Sequence, residues 1–254
     1  MNRVLAIRKI RRKMAAGKAS IGSWMQIPHG SIAEILGAAG YDWVAVDMEH
    51  GAIGAEQLPD LFRALELGNT LPLVRVAEGT AKDCKLALDA GAGGVIVPNV
   101  QSADQLTAIR DICRWPPVGK RGVGFCRANL FGKNFQAYQH EAQQPVLVAM
   151  IENNSAIGNL DSILKVKGLD AILIGPYDLS ASIGIPGKIK DSRMQNTCRL
   201  ILAKSKRAGI ACGIHVVEPE REELMKTILQ GYLFIPYSID AVTLRNSSFC
   251  PREC

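Results

Sequence analysis

Eight short apolar segments alternate along the chain with segments whose apolar residues recur at helical spacing. The apolar segments cover residues 21–27, 43–48, 71–76, 95–100, 145–151, 171–174, 212–216 and 232–236. Buried parallel strands have this length and composition, and helices supply the crossovers between them. The alternation predicts an α/β fold, a single (β/α)8 TIM barrel that spans residues 1–254. No GxGxxG motif follows the first strand, so a dinucleotide-binding sheet has no support.

Several local features complete this prediction. An N-terminal helix is expected within residues 1–17, and a C-terminal helix with a tail within 241–254. Ser31 is expected to cap a helix over 31–39, and one continuous helix is expected over 157–166. Glycine and proline predict two loops, a long functional one with short helices over 115–144 and a second over 175–187.

The net charge of +6 and the pI near 9.0 do not indicate a nucleic-acid partner. Most Lys and Arg residues lie beside Asp and Glu in helical segments, and only residues 8–13 form a dense basic run. That run is interpreted as the solvated face of the first helix. A modest positive field also attracts anionic substrates.

The seven cysteines show neither CxxC spacing nor histidines at zinc-site intervals. Unpaired cysteines are typical of a reducing compartment, and the first residues lack the apolar core of a signal peptide. No apolar stretch approaches the roughly 18 residues that a membrane span needs. We therefore expect a cytoplasmic protein without a membrane partner.

Two carboxylates follow neighbouring strands of the predicted barrel. Glu152 comes directly after residues 145–151, and Asp178 comes shortly after 171–174. Ligands bind at the carboxyl ends of parallel strands, and two carboxylates there can hold Mg²⁺, Mn²⁺ or Co²⁺ with positions left open for a substrate. The alternative is that each residue caps the helix that follows it.

Three further residues are placed for chemistry. Arg75 ends an otherwise apolar strand, where a guanidinium needs an anionic partner that is either a structural carboxylate or a substrate oxygen. His50 follows the strand 43–48 and is either a general base or a loop residue. Asp89 ends a helix, where a carboxylate opposes the helix dipole and needs a partner elsewhere.

Nucleophilic catalysis has little support. No serine lies in a GxSxG motif, and no lysine lies at a strand end, where a Schiff-base aldolase needs one. The residues therefore favour metal-assisted enolate chemistry over Schiff-base chemistry.

The chain resembles the class II, metal-dependent pyruvate aldolases of the HpcH/HpaI family over residues 22–240. The segments that carry the resemblance are GSW (22–24), DMEHG (47–51), PLVRV (72–76), LDAG (88–91), VP (97–98), PPVGKRGVG (116–124), IE (151–152) and GPYDLS (175–180). The resemblance implies a (β/α)8 barrel that cleaves 2-keto-3-deoxy or 4-hydroxy-2-oxo acids to pyruvate and an aldehyde. It also implies a homo-oligomer, a hexamer or a trimer, whose last helix packs on a neighbouring subunit.

The resemblance also implies roles for single residues. It makes Glu152 and Asp178 the metal ligands, and it makes Arg75 the group that stabilises the pyruvate enolate. His50 and Asp89 match the family's acid/base dyad. The remaining matches, in the substrate pocket, are Trp24, Gly175 and Pro176.

The chain departs from the family pattern at three positions. Met150 replaces a frequent Gln, Asn99 replaces Met, and Ser238 replaces Gly, while the tail 250–254 matches nothing in the family. These changes bear on the aldehyde more than on the reaction. The alternatives left open are a related phosphoenolpyruvate or acyl-CoA lyase, and a non-catalytic binding protein on an inherited barrel.

Overall fold

A computed structural model describes residues 1–250 and confirms the predicted barrel. Eight parallel strands follow one another around the sheet in the order β7-β6-β5-β4-β3-β2-β1-β8. They are β1 Ser20–Met25, β2 Trp43–Asp47, β3 Leu71–Arg75, β4 Gly94–Val97, β5 Val146–Ile151, β6 Ala171–Ile174, β7 Ala211–Ile214 and β8 Phe234–Ile239. Backbone hydrogen bonds from Leu233 N to Cys212 O (2.8 Å) and from Val216 N to Pro236 O (3.0 Å) join the two edge strands.

Helices surround the strands and connect them. They are α1 Arg3–Ala15, α2 Gly30–Ala38, α3 Leu58–Leu67, α4 Ala81–Asp89, α5 Ala103–Cys113, α6 Phe135–Glu141, α7 Asn154–Gly158, α8 Leu160–Ile163, α9 Pro176–Ser182, α10 Ser192–Ala208, α11 Arg221–Gln230 and α12 Asp240–Ser247, with a short 3₁₀ helix at Arg127–Asn129. Within residues 1–250 no helix combines the length and the apolar character that crossing a bilayer requires.

Large side chains fill the inside of the barrel. Trp43 stacks on Phe234 with ring centroids 4.3 Å apart, and the edge of Trp24 packs against Trp43. Gly22 makes room for this stack, since a Cβ atom there would lie 2.1 Å from the Trp43 ring. A second apolar layer packs between the outer face of the sheet and the helices. The barrel is thus a packed core whose open chemistry is confined to its ends.

Helix α1 closes the amino-terminal end of the barrel. Ile7, Ile10 and Met14 join the apolar cluster inside the barrel. Arg11 Nε lies 2.7 Å from Asp170, and Lys13 Nζ lies 2.7 Å from Asp42. The basic run is therefore only partly the solvated face expected from the sequence, because some of its charges tie the helix to the barrel.

The prediction that Ser31 caps the second helix is wrong. The helix begins one residue earlier, and His29 is its N-cap, with its Nδ1 accepting a hydrogen bond from Ser31 N. A histidine ring nitrogen has here taken the place of the expected hydroxyl.

Two further local predictions are wrong. The helix expected over 157–166 is replaced by the short helices α7 and α8, with Asn159 between them at a backbone conformation outside the helical region. The loop expected over 175–187 contains helix α9, which begins with Pro176. Proline suits the first position of a helix because its φ is already helical and its missing N–H is not needed there.

Candidate active site

A cavity of about 170 Å³ opens at the carboxyl ends of the strands. Six of the site residues predicted from the sequence lie in its wall: Trp24, His50, Arg75, Gly175, Pro176 and Asp178. Met150 and His215 also line it. The cavity is therefore built by residues from many separate strand ends, as in other (β/α)8 enzymes.

Arg75 is held rigidly at the edge of this cavity. It lies beside Asp47 in the register of β2 and β3, and its Nε and Nη2 donate to the two Asp47 oxygens at 2.8 and 2.6 Å. Gln26 Nε2 donates to the same carboxylate at 2.8 Å. Burial alone would raise the pKa of Asp47, but the hydrogen bonds and the charge of Arg75 outweigh burial and lower it. The pair is therefore ionised, and the fork of Arg75 keeps one orientation.

Trp24 fixes the face of the same guanidinium. The Arg75 guanidinium carbon lies 4.4 Å from the centroid of the Trp24 ring. The remaining nitrogen, Nη1, lies 3.2 Å from Glu49. Two guanidinium nitrogens bind Asp47, and Trp24 covers one face of the group. Nη1 is therefore the nitrogen that can interact with a substrate group near Glu49.

Three carboxylates lie close enough to affect one another. Burial, with a smaller contribution from the charges of Glu49 and Asp178, raises the pKa of Glu152 to about 7, and the hydrogen bond from the Asn99 backbone N–H opposes this shift. Burial also raises the pKa of Glu49, with Arg75 and His50 opposing it. A divalent cation beside Glu152 and Asp178 would relieve both burial and mutual repulsion, so the two predicted ligands fit a cation.

The two predicted ligands do not form a complete metal cage. Within residues 1–250 no group of three or more His, Cys, Asp and Glu side chains is arranged to hold a metal ion. With only Glu152 and Asp178 as ligands, coordination positions would be left to water and substrate oxygens, and this open arrangement stays a prediction.

Gly175 allows Glu152 to reach its position. A Cβ atom on Gly175 would lie 2.5 Å from Glu152 Oε2 and 2.9 Å from Glu152 Cβ. Pro176 then starts helix α9 and brings Asp178 into its first turn, where a carboxylate suits the helix dipole. The segment GPYDLS therefore places one predicted ligand and makes room for the other.

Asn99, where the family often has Met, contacts the site through its backbone. Its φ of +50° lies in the left-handed region, which Asn tolerates better than other side chains with a Cβ atom. In this conformation its N–H donates to Glu152 Oε1, and its side-chain Oδ1 accepts from Asn153 Nδ2 at 2.8 Å. The backbone of Asn99 thus holds one oxygen of the predicted metal ligand.

The predicted dyad of His50 and Asp89 is not formed in the described part of the chain. His50 keeps about half of its side chain exposed (53%), and its Nε2 lies 3.8 Å from Glu49. Asp89 ends α4, where Arg121 Nε lies 3.9 Å away, and no described hydrogen bond or ion pair joins it to His50. Burial raises the pKa of Asp89, with Arg121 and Lys85 opposing it. The roles of both residues therefore stay predictions.

Sequence reasoning does not single out Gln26, Asp47 or His215. Asp47 is the last residue of a buried strand and pairs in register with Arg75. An acidic residue at the end of the strand next to that of a buried arginine is the sequence feature that could have predicted this ion pair. His215 follows β7 directly, at the same end of the barrel as the other site residues. Gln26 carries no signal, because its contact with Asp47 depends on how two strands pair.

Comparison with known proteins shows the family to which the chain belongs. The family model described as HpcH/HpaI aldolase/citrate lyase matches residues 20–247. The chain belongs to this family.

HpcH/HpaI relatives match almost the whole chain. A hydroxypyruvate/pyruvate aldolase of Roseobacter denitrificans is 34% identical over 239 residues, which are 93% of each chain. A 2-keto-3-deoxy-L-rhamnonate aldolase of Klebsiella pneumoniae is 33% identical over 95% of this chain and 90% of its own. The crystal structure of a family member from Burkholderia cenocepacia superposes with a TM-score of 0.88 at 29% identity, covering 94% of this chain and 95% of its own. The prediction of an aldolase, a carbon–carbon lyase, is thereby confirmed.

Proposed function

We propose that the chain catalyses the reversible, metal-dependent aldol cleavage of a 4-hydroxy-2-oxo acid, such as a 2-keto-3-deoxy acid, to pyruvate and an aldehyde. The observation that carries the proposal is the rigid Arg75 fork beside a cluster of three carboxylates at the edge of one cavity. A cation and a guanidinium on one small substrate suit a reaction in which negative charge develops on a keto oxygen.

Glu152 and Asp178 would hold the divalent cation, which is Mg²⁺, Mn²⁺ or Co²⁺. When bound, it supplies Lewis-acid stabilisation of the charge that develops on the substrate's oxygens. The raised pKa of Glu152 supports this assignment, because a buried carboxylate beside two others is unfavourable until a cation accompanies it.

Arg75 would bind the keto oxygen of pyruvate and stabilise the enolate. Asp47 and Trp24 hold the guanidinium before any substrate binds, so no free energy is spent on orienting it during the reaction. The Trp24 ring also excludes water from one face of the guanidinium, which strengthens its electrostatic effect. Gly175 and Pro176 would form the floor of the pyruvate pocket.

His50 would transfer the proton of the 4-hydroxyl group. It lines the cavity, it is partly exposed, and it lies beside Glu49, so it can exchange protons with solvent between turnovers. Asp89 is proposed as its partner on the family resemblance alone, since Asp89 contacts Arg121 in the described chain.

We also propose a cytoplasmic homo-oligomer, a hexamer or a trimer. Large apolar side chains of the C-terminal region are exposed, among them Leu244 at 55% and Phe249 at 70%, as expected if α12 packs on a neighbouring subunit. The six described cysteines are free thiols, as a reducing compartment favours. Light scattering of the purified protein measures the number of subunits directly.

The reaction is tested by pyruvate release from a panel of 4-hydroxy-2-oxo acids. We expect activity in the metal-loaded protein, loss of activity after EDTA treatment and desalting, and recovery with Mn²⁺, Mg²⁺ or Co²⁺. Asp161→Asn, at an exposed carboxylate paired with Lys204, serves as the control variant and should respond to EDTA as the parent does. Full activity after complete removal of divalent metal would contradict the proposal.

A further inference from the structure

Asn99 departs from the family pattern in a way that the proposed reaction does not explain. It lies between β4 and α5, and its φ of +50° is left-handed. Its N–H donates to Glu152 Oε1, and Glu152 follows β5, the strand that pairs with β4. A residue of one strand-end loop therefore contacts the predicted metal ligand on the neighbouring strand.

Five amide side chains connect the loop after β4 to the segment after β5. This amide cluster consists of Asn99, Gln101, Gln105, Asn153 and Asn159. Asn99 Oδ1 accepts hydrogen bonds from Asn153 Nδ2 at 2.8 Å and from Gln101 Nε2 at 3.2 Å. Gln105 Nε2 donates to Asn99 O at 3.4 Å, and Gln105 Oε1 accepts from Gln101 N at 2.7 Å. Asn159 Nδ2 donates to Gln101 O at 2.9 Å, so the two segments are joined at several points.

The amide cluster stabilises the left-handed conformation of Asn99. This conformation is unfavourable for residues that carry a Cβ atom, although Asn tolerates it better than most. Both oxygens of Asn99 accept hydrogen bonds from the cluster, Oδ1 from two amide groups and the carbonyl oxygen from one. The methionine that is frequent at this position has no side-chain oxygen and could not form the first two bonds. The side chain that distinguishes this chain therefore helps to set the direction of the Asn99 N–H.

The hydrogen bond from Asn99 gives the two Glu152 oxygens different environments. Oε1 accepts from the Asn99 N–H, whereas Oε2 lies on the side of Gly175, 2.5 Å from the position of a Cβ atom there. Gly175 is the N-cap of α9, whose first turn contains Asp178. Oε2 therefore points toward the strand end that carries the other predicted ligand, and it is the oxygen placed to share a cation with Asp178.

We propose that Asn99 is a positioning residue that, held by the amide cluster, directs its N–H to Glu152 Oε1 and so leaves Oε2 for the divalent cation. Groups that hydrogen-bond a ligating carboxylate orient it and raise the affinity for the metal. Asn99 acts on this affinity and takes no part in the proton transfers. The inference rests on the proposed metal site and adds the group that orients one of its ligands.

Asn99→Val tests the position of the backbone N–H. A β-branched side chain strongly disfavours the left-handed conformation, so the N–H should turn away from Glu152. We expect the Kd for Mn²⁺, measured by titration calorimetry, to rise at least about tenfold, the lower end of the effect of losing such a contact. Asn69→Val is the matched control, since Asn69 has a φ of +59° between α3 and β3, at the other end of the barrel. It introduces the same strain and should leave the Kd unchanged.

Asn99→Gly and Asn153→Ser test the amide cluster without adding strain. Glycine adopts the left-handed conformation freely, and serine can still cap α7 by accepting from Ala156 N as Asn153 does. Each change removes the bond between Asn99 Oδ1 and Asn153 Nδ2 and should raise the Kd for Mn²⁺ about fivefold, the scale for one neutral hydrogen bond. Because both act through that bond, the double variant should have the Kd of Asn99→Gly alone.

Exchange at C3 of pyruvate in D₂O separates metal affinity from chemistry. At saturating Mn²⁺ the rate in Asn99→Gly should return to within about twofold of the parent, because a group that acts only on metal affinity has no effect once the metal is bound. A rate that stays low at saturation would overturn the inference, since Asn99 would then act on the reaction itself.

The remaining outcomes are distinct. A folded Asn99→Val, checked by circular dichroism, that binds Mn²⁺ as tightly as the parent would overturn the assignment of Asn99 alone. If Asn99→Val does not fold, the variants Asn99→Gly and Asn153→Ser decide the question. Unchanged affinity in these two, or fully additive losses in the double variant, would overturn the role of the amide cluster. A parent protein that does not bind Mn²⁺ would contradict the proposed metal site and this inference together.

Discussion

Glu152→Gln is expected to stabilise the metal-free protein at pH 8 and to have much less effect at pH 5. The pKa of Glu152 is raised from 4.5 to about 7 in the folded protein, so between these values the folded state binds a proton that the unfolded state has lost. Stability of the parent must therefore fall as pH rises through this range. Gln removes the titration and can still accept the hydrogen bond from Asn99 N–H.

The size of the effect follows from that shift. A difference of about 2.5 pKa units between the folded and unfolded states corresponds to roughly 3 kcal/mol at pH 8, and to about a quarter of that at pH 5. For a chain of this length, 1 kcal/mol changes Tm by about 2–4 °C. The variant should thus melt at least about 6 °C above the parent at pH 8 in EDTA, with a much smaller difference at pH 5.

Differential scanning calorimetry of both proteins at pH 5 and pH 8, with and without Mn²⁺, measures this difference in Tm. Mn²⁺ should stabilise the parent at pH 8 by about 2.7 kcal/mol at a concentration 100 times its Kd, and it should have little effect on the variant. Glu34→Gln, the same chemical change at an exposed position, is the matched control and should show neither response. A difference in Tm between parent and Glu152→Gln that is equal at both pH values would refute the assigned environment of Glu152.

Three further changes test the site's construction. Asp47→Asn removes one partner of a buried ion pair and should lower the free energy of unfolding, measured in urea, by about 3–5 kcal/mol. Asp60→Asn, at an exposed pair, should lower it by less than about 1 kcal/mol. Equal losses would mean that the buried pair contributes no more to stability than an exposed one. Gly175→Ala places a Cβ atom 2.5 Å from Glu152 Oε2 and should weaken Mn²⁺ binding at least about tenfold. Gly30→Ala, where no atom lies within 4 Å of the new Cβ, should leave the Kd for Mn²⁺ unchanged. The same Kd for both variants in titration calorimetry would contradict the argument that a Cβ atom at residue 175 displaces Glu152. Arg75→Lys loses the two-point fork and should lower kcat, with an activation barrier raised by roughly 2–4 kcal/mol, and hydrogen exchange at C3 of pyruvate should fall in parallel. Normal exchange in this variant would mean that Arg75 interacts with the aldehyde and not with the enolate.

The barrel is predictable from the sequence because its signal is repeated. Short, mostly apolar strands such as β2 recur eight times along the chain, with helical segments between them. This repetition is typical of a (β/α)8 barrel and fits few other architectures. Element ends are less predictable. His29 replaces Ser31 as a cap, and Asn159 divides one expected helix, because such details depend on single side chains and on local backbone conformation.

The candidate site is predictable only where chemistry follows a strand directly. Arg75, Glu152 and Asp178 show this pattern: Arg75 and Asp178 line one cavity, and Glu152 lies close enough to both for their charges to affect its pKa. Contacts between strands are different, since the bond from Gln26 to Asp47 depends on pairing that no local pattern reveals. Ser238 illustrates the same limit, because its φ of +58° at the irregular β1–β8 pairing explains a frequent glycine only once the backbone is known.

Hydrogen exchange at C3 of pyruvate in D₂O, followed by proton NMR, tests the central claim most directly. The account holds that Arg75, Glu152 and Asp178 together stabilise a pyruvate enolate with a divalent cation. It predicts exchange in the metal-loaded protein without any aldehyde, no exchange after EDTA treatment or in Glu152→Gln, and no pyruvate adduct on any lysine after borohydride treatment. Exchange that persists in the metal-free protein, accompanied by a borohydride-trapped lysine adduct, would contradict it.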